Sequence, residues 1–136
     1  MIVDSSALLA ILTRVQGTEA LLDALETESA VLPAPARIEF LRIAASSSLQ
    51  LSVQAEQLLV EWEGGGLTTI AFEARHAEIA AKANAHYGSA KGKDGVLNLL
   101  DLMVYAIAIE RGEPLLCVGK GFTATDVELH PASRSA

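Results

Sequence analysis

Three carboxylates stand in apolar surroundings. Asp4 follows Met1-Ile2-Val3 and precedes SSALLAIL, a segment of helical character. Glu39 lies in ARIEFLRI between Ile38 and Phe40, and Asp101 lies in LNLLDLMVYAIAI with leucine on both sides. A carboxylate buried without a partner is costly, so each acid is capped, paired, protonated or metal-bound. Each has a purely structural explanation. Asp4 can cap a helix by accepting from the N–H of Ser6 or Ala7. Glu39 can pair with Arg42 three residues on. Asp101 can complement the positive end of a helix dipole. Chemistry becomes the better account if the three converge. Converging carboxylates repel unless a cation lies between them, and an all-oxygen ligand set suits Mg2+ or Mn2+. Such an ion can bind a phosphodiester oxygen, lower the pKa of a bound water and stabilise a leaving oxygen.

The elements that must position these acids follow from apolar spacing. Short apolar or β-branched runs at 1–3, 30–33, 67–72 and 115–119 read as strands, and VELHP at 127–131 offers a fifth. Helical patterns fill 5–14, 18–28, 36–48, 52–63, 73–88 and 98–112, with Leu21, Leu22 and Leu25 on one face of the second. In the third, Ile38, Leu41 and Ala45 are expected to share a face. Gly64-Gly65-Gly66 stops the fourth, and Gly112 follows the last. Strands alternating with helices predict an α/β fold: a mostly parallel central sheet of four to five strands, flanked by helices on both faces. Sites in such sheets form outside the carboxyl ends of the strands. All three acids map there, Asp4 at a strand end and Glu39 and Asp101 near helix beginnings.

The composition narrows the classes further. With 136 residues, the chain is long enough for one domain with a real core. A net charge of −7 argues against a generic nucleic-acid-coating surface, but not against an enzyme that reaches phosphates through a divalent cation. No run of about 18 uncharged apolar residues predicts a membrane span, and no basic region precedes the N-terminal apolar stretch as a secretory leader requires. The single cysteine, Cys117, fits a reducing cytoplasm and reads as a small core residue. His76, His86 and His130 lie in different segments, and none pairs with Cys117 at zinc spacing. Ser5 and Ser6 have no histidine partner for nucleophilic work, and no phosphate-cradling glycine motif occurs. Trp62 reads as a packing or dimer residue rather than a base-stacking one.

Taken in order, MIVDSSALLAIL, the Glu39 helix after Pro33 and Pro35, and LNLLDLMVYAIAIERGEPLLCVGKGFTATDV resemble a PIN domain of the VapC type. The resemblance spans residues 1–131 as a single PIN domain, leaving residues 132–136 as a short polar tail expected to fray. It implies a PIN-like fold and a Mg2+- or Mn2+-dependent ribonuclease. It also implies the toxin of a type II toxin–antitoxin module, which cuts tRNA or ribosomal RNA and blocks translation. A VapB-type antitoxin inserting a segment at the active site, and a homodimer, come with the family. The family's first three acids fall on Asp4, Glu39 and Asp101, and Ser6 falls where a Ser or Thr supports the first acid.

Two departures stand out. Leu100 occupies a position where the family commonly has Gly. The stretch Gly119-Lys120-Gly121-Phe122 holds no acid where a fourth is usual. Asp126 is the nearest carboxylate, placed to help through water or by orienting the loop. On this reading Asp4 and Asp101 hold the metal and Glu39 positions or deprotonates the attacking water. Lys91, Lys93 and Lys120 are candidates for holding RNA phosphates, or are simply solvated loop residues. The rival class is a non-catalytic module, either a degenerate PIN domain or a receiver-like switch. It is separated by metal titration and RNA cleavage.

Overall fold

The computed structural model describes residues 1–88 and 96–135. Four parallel strands form one sheet: β1 (Ile2–Val3), β2 (Val31–Pro33), β3 (Thr68–Ile70) and β4 (Leu115–Leu116), in spatial order β3-β2-β1-β4. Ile2 pairs with Val31 on one side and Leu115 on the other, while Val3 pairs with Leu116. Parallel neighbours need crossover connections. These are supplied by α1 (Ser5–Leu12), α2 (Glu19–Thr27), α3 (Ala34–Ala44), α4 (Ser52–Gly64), α5 (Ala74–Tyr87) and α6 (Leu99–Arg111). Ile2 and Val3 point to opposite faces of β1 and both are fully buried, so the central strand is covered on both sides.

The strand and helix order agrees with the sequence reading, with one correction inside α3. Its buried residues are Pro35, Ala36, Phe40 and Ala44, whereas Ile38 is 63% exposed and Ala45 is solvent-facing. Two stripes compete at helical spacing, and the one carrying Phe40 wins. Phe40 is the larger apolar group and packs on Trp62 of α4, with ring centroids 6.2 Å apart. That rotation also turns Glu39 away from the exposed helix face. Trp62 is buried, as a packing residue should be.

The C-terminal segment differs from the fraying expected of it. The offered fifth strand is a single parallel bridge, Leu129 to Leu115, held by Leu115 N–H to the Glu128 carbonyl and His130 N–H to the Leu115 carbonyl, both 2.8 Å. Beyond it, Gly119 N–H donates to the Arg134 carbonyl at 2.7 Å and Arg134 N–H to the Cys117 carbonyl at 3.0 Å. The Arg134 guanidinium donates to the carbonyls of Gln16 and Gly17 at 2.6 and 2.7 Å. Residues 128–134 therefore form a strap along the open edge of β4, because that edge offers backbone groups needing partners.

Candidate active site

The apolar run Met1-Ile2-Val3 forms the central strand and ends at Asp4, whose extended backbone caps α1. Its carboxylate Oδ2 accepts from Ser6 N–H at 3.1 Å and from the Ser6 hydroxyl. The cap reading of Asp4 is thus correct and incomplete. The residue is only 4% exposed, and its other oxygen, Oδ1, is buried with no hydrogen-bond partner among the described residues. The Ser6 hydroxyl in turn accepts from Val118 N–H at 2.9 Å, so one side chain links the first acid to the segment leaving β4.

Glu39 sits in the second turn of α3. No ion pair joins it to Arg42 among the described residues. Its Oε1 accepts from the hydroxyl of Ser5, a residue 2% exposed at the start of α1. Asp101 sits in the first turn of α6 and forms a reciprocal cap with Asn98. Asp101 N–H donates to Asn98 Oδ1 at 2.9 Å, and Asn98 N–H donates to Asp101 Oδ2 at 3.1 Å. Ser5 and Asn98 are site residues that the sequence reading missed. The Asn-x-x-Asp spacing carried the signal for Asn98. Ser5 is far from Glu39 in sequence and carried none.

The three acids converge. One oxygen from each of Asp4, Glu39 and Asp101 lies within 4.8 Å of the others. They line a cleft of about 260 Å3 together with Asn98, Gly121 and Phe122. The electrostatics reflect crowding without a counter-charge. Burial pushes the Asp4 carboxyl up to about 6, against the two Ser6 hydrogen bonds, and the charges of Asp101 and Glu39 add to the rise. The Asp101 carboxyl is also raised, first by burial and then by Glu39, with the Asn98 N–H opposing. Burial, like charge and an orphaned carboxylate oxygen together fit a divalent cation held by oxygen ligands. The wall formed by Val118 to Phe122 adds no carboxylate.

The remaining candidates are placed as follows. Asp126 lies outside the acid cleft and accepts from the buried Tyr105 hydroxyl. Lys120 is exposed at the start of the short 3-10 turn Gly121–Ala124, whose first two residues line the cleft. Lys91 and Lys93 lie outside the described residues. Leu100 is half-buried. Cys117 is buried beside the site, and burial followed by the Asp4 charge pushes its thiol up to about 12, which suits an inert core position. Among the described residues no helix is long and apolar enough to cross a membrane.

The chain resembles known proteins along most of its length. The PIN domain family model matches residues 1–128. Ribonuclease VapC42 of Mycobacterium tuberculosis is 36% identical over 129 residues, covering 93% of this chain and 96% of that protein. Ribonuclease VapC of Mycolicibacterium smegmatis is 32% identical over 136 residues, covering 93% and 97%. Among solved structures, the sarcin-ricin loop cleaving toxin VapC20 of Mycobacterium tuberculosis superposes with a TM-score of 0.70 at 13% identity, covering 96% of this chain and 98% of that one. FitAcB of Neisseria gonorrhoeae gives 0.65 at 21% identity, covering 96% of each.

Proposed function

The chain belongs to the PIN domain family, among its VapC ribonucleases, and from that membership we propose that it is a Mg2+-dependent endoribonuclease serving as the toxin of a type II toxin–antitoxin pair. The observation that carries the catalytic part is the orphaned, buried Asp4 Oδ1 beside the carboxylates of Glu39 and Asp101. Asp4 and Asp101 are the metal ligands, with Mn2+ as an alternative ion. The ion would neutralise the site and stabilise charge developing on the phosphodiester oxygens. Glu39 uses Oε1 to accept from Ser5, which leaves Oε2 to orient a water and take its proton. That water attacks phosphorus, a phosphorus–oxygen bond breaks, and the leaving oxygen takes up a proton. Ser6 supports the site by holding Asp4 against Val118. Asp126 supports it by fixing the loop at 120–127 to Tyr105.

The substrate is tRNA or ribosomal RNA in the cytoplasm, with Lys120 and the lysines at 91 and 93 as phosphate contacts. The partners are a VapB-type antitoxin and a second copy of this chain. RNA cleavage with and without Mg2+ tests the reading, comparing wild type with Asp4→Asn and Asp101→Asn. Loss of cleavage by at least a hundredfold in both variants is expected. Full activity in either sinks the site assignment. A non-catalytic PIN domain, favoured only by the acid-free stretch 119–122, would bind Mn2+ weakly and leave RNA intact.

A further inference from the structure

A second cleft of about 260 Å3 lies beside the acid cleft, lined by Lys82, His86 and Tyr87 of α5, by Tyr105 of α6 and by Asp126. Two elements join the clefts. On α6, Asp101 and Tyr105 are four residues apart and share a helix face. In the loop after β4, Gly121 and Phe122 line the acid cleft while Asp126 lines the second one.

The polar groups here have a definite polarity. The Tyr105 hydroxyl is committed to Asp126 Oδ1, and Asp126 Oδ2 has no partner among the described residues. An anionic acceptor facing an open cleft favours an occupant with hydrogen-bond donors and disfavours a phosphate at that point. Tyr87 and Tyr105 meet edge to face at 5.6 Å, and the His86 ring lies 6.2 Å from Tyr87. Tyr105 is buried, so the exposed His86 and half-buried Tyr87 are the rings on which a planar group can stack. Lys82 is exposed and has no carboxylate partner among the described residues, so a cation stands at the rim.

We propose that this cleft is a nucleotide subsite for the RNA strand and that Asp126 selects guanine there. The inference rests on the ribonuclease reading above. Guanine presents two adjacent donors, the ring N1–H and the exocyclic amino group, to one carboxylate. Adenine and cytosine set a ring nitrogen acceptor beside their amino group, which the carboxylate repels. Uracil offers a single N–H flanked by carbonyls. Tyr105 is the positioning residue that holds Asp126, and Lys82 takes the phosphate of the same nucleotide.

The test uses short single-stranded RNAs that differ only in guanine, inosine or adenine at each position flanking the cleaved bond. Inosine keeps the N1–H and lacks the amino group. Wild type should prefer guanine at one position by about tenfold to a hundredfold in kcat/KM. Asp126→Asn should bring that preference to within about threefold, while its amide oxygen still accepts from Tyr105 and preserves the fold in a melting curve. Lys82→Ala should weaken all three RNAs alike and lower the salt dependence of binding by about one ion. Equal use of guanine and inosine by wild type, or an unchanged preference in folded Asp126→Asn, overturns the proposal. If Asp126→Asn fails to fold, the wild-type comparison of guanine with inosine decides alone. The same RNAs are also bound by fluorescence anisotropy in EDTA. A guanine preference there, with no cleavage of the same RNAs when Mg2+ is supplied, keeps the subsite and sinks the nuclease reading. Cleavage without a base preference sinks only the subsite.

Discussion

The Ser6 hydroxyl joins Asp4 to Val118: it donates to the first acid and accepts from the Val118 N–H at 2.9 Å. Ser6→Ala removes a donor from a buried carboxylate and strands a backbone N–H in one change. It should lower stability in urea unfolding by about 1–3 kcal/mol and lower RNA cleavage by roughly tenfold. Ser6→Thr retains the hydroxyl and should recover most of both. An alanine variant as stable and active as wild type would show that the link is idle.

Asp4 gives a pH signature. Its folded value of about 6 lies above the ordinary 3.8. The folded state therefore holds a proton that the unfolded chain has released between those values. This contribution to stability is complete below about pH 4 and is lost as pH rises through 6, a swing of about 3 kcal/mol. In metal-free protein, Asp4→Asn should thus be more stable than wild type at pH 7.5, with the gap narrowing steadily as pH falls below about 6. Saturating Mn2+ should reverse the order at pH 7.5, because only wild type retains both proposed ligands. Thermal melts of the two proteins, with and without Mn2+, check both statements.

The acid-free wall can be rebuilt. A Cβ added at Gly121 meets nothing closer than 3.9 Å, and its backbone is not in the left-handed region. Gly119, by contrast, has φ of +112° and resists any side chain. Gly121→Asp should fold and place a fourth carboxylate at the cleft. It should tighten Mn2+ binding, read by calorimetry, by about tenfold or more. Gly119→Asp should instead lower the melting temperature.

The strap along β4 is also testable. Arg134→Ala removes both bonds to the Gln16 and Gly17 carbonyls. It should cost about 1–2 kcal/mol and speed hydrogen exchange at the Gly119 amide, which donates to the Arg134 carbonyl. Exchange as slow as in wild type would mean that the backbone bridge alone holds the segment.

Much of this was legible in the sequence, for physical reasons. Asp4 and Asp101 betray themselves because a charge between apolar neighbours needs a reason, and their places at strand and helix ends follow from local pattern. The face of α3 was not legible. The stripes through Ile38 and Phe40 are both helical, and only the presence of Trp62 across the interface chooses between them. Ser5 escaped because its partner arrives from another helix. The strap escaped because backbone pairing asks nothing of side-chain hydrophobicity, so a small polar segment looks unanchored until the sheet edge beside it is known.

The sheet order β3-β2-β1-β4 sets a timetable for the site. The first strand made pairs with the last, since Val3 is in register with Leu116. A ribosome must therefore finish nearly the entire domain before the centre of the sheet can close. The same late segments bring Asp101 and the Val118 N–H that steadies Ser6. A prematurely terminated chain lacking them carries two of the three acids and no pocket. The architecture makes the three-acid cleft all-or-none with respect to synthesis, so a stalled or clipped copy lacks it altogether.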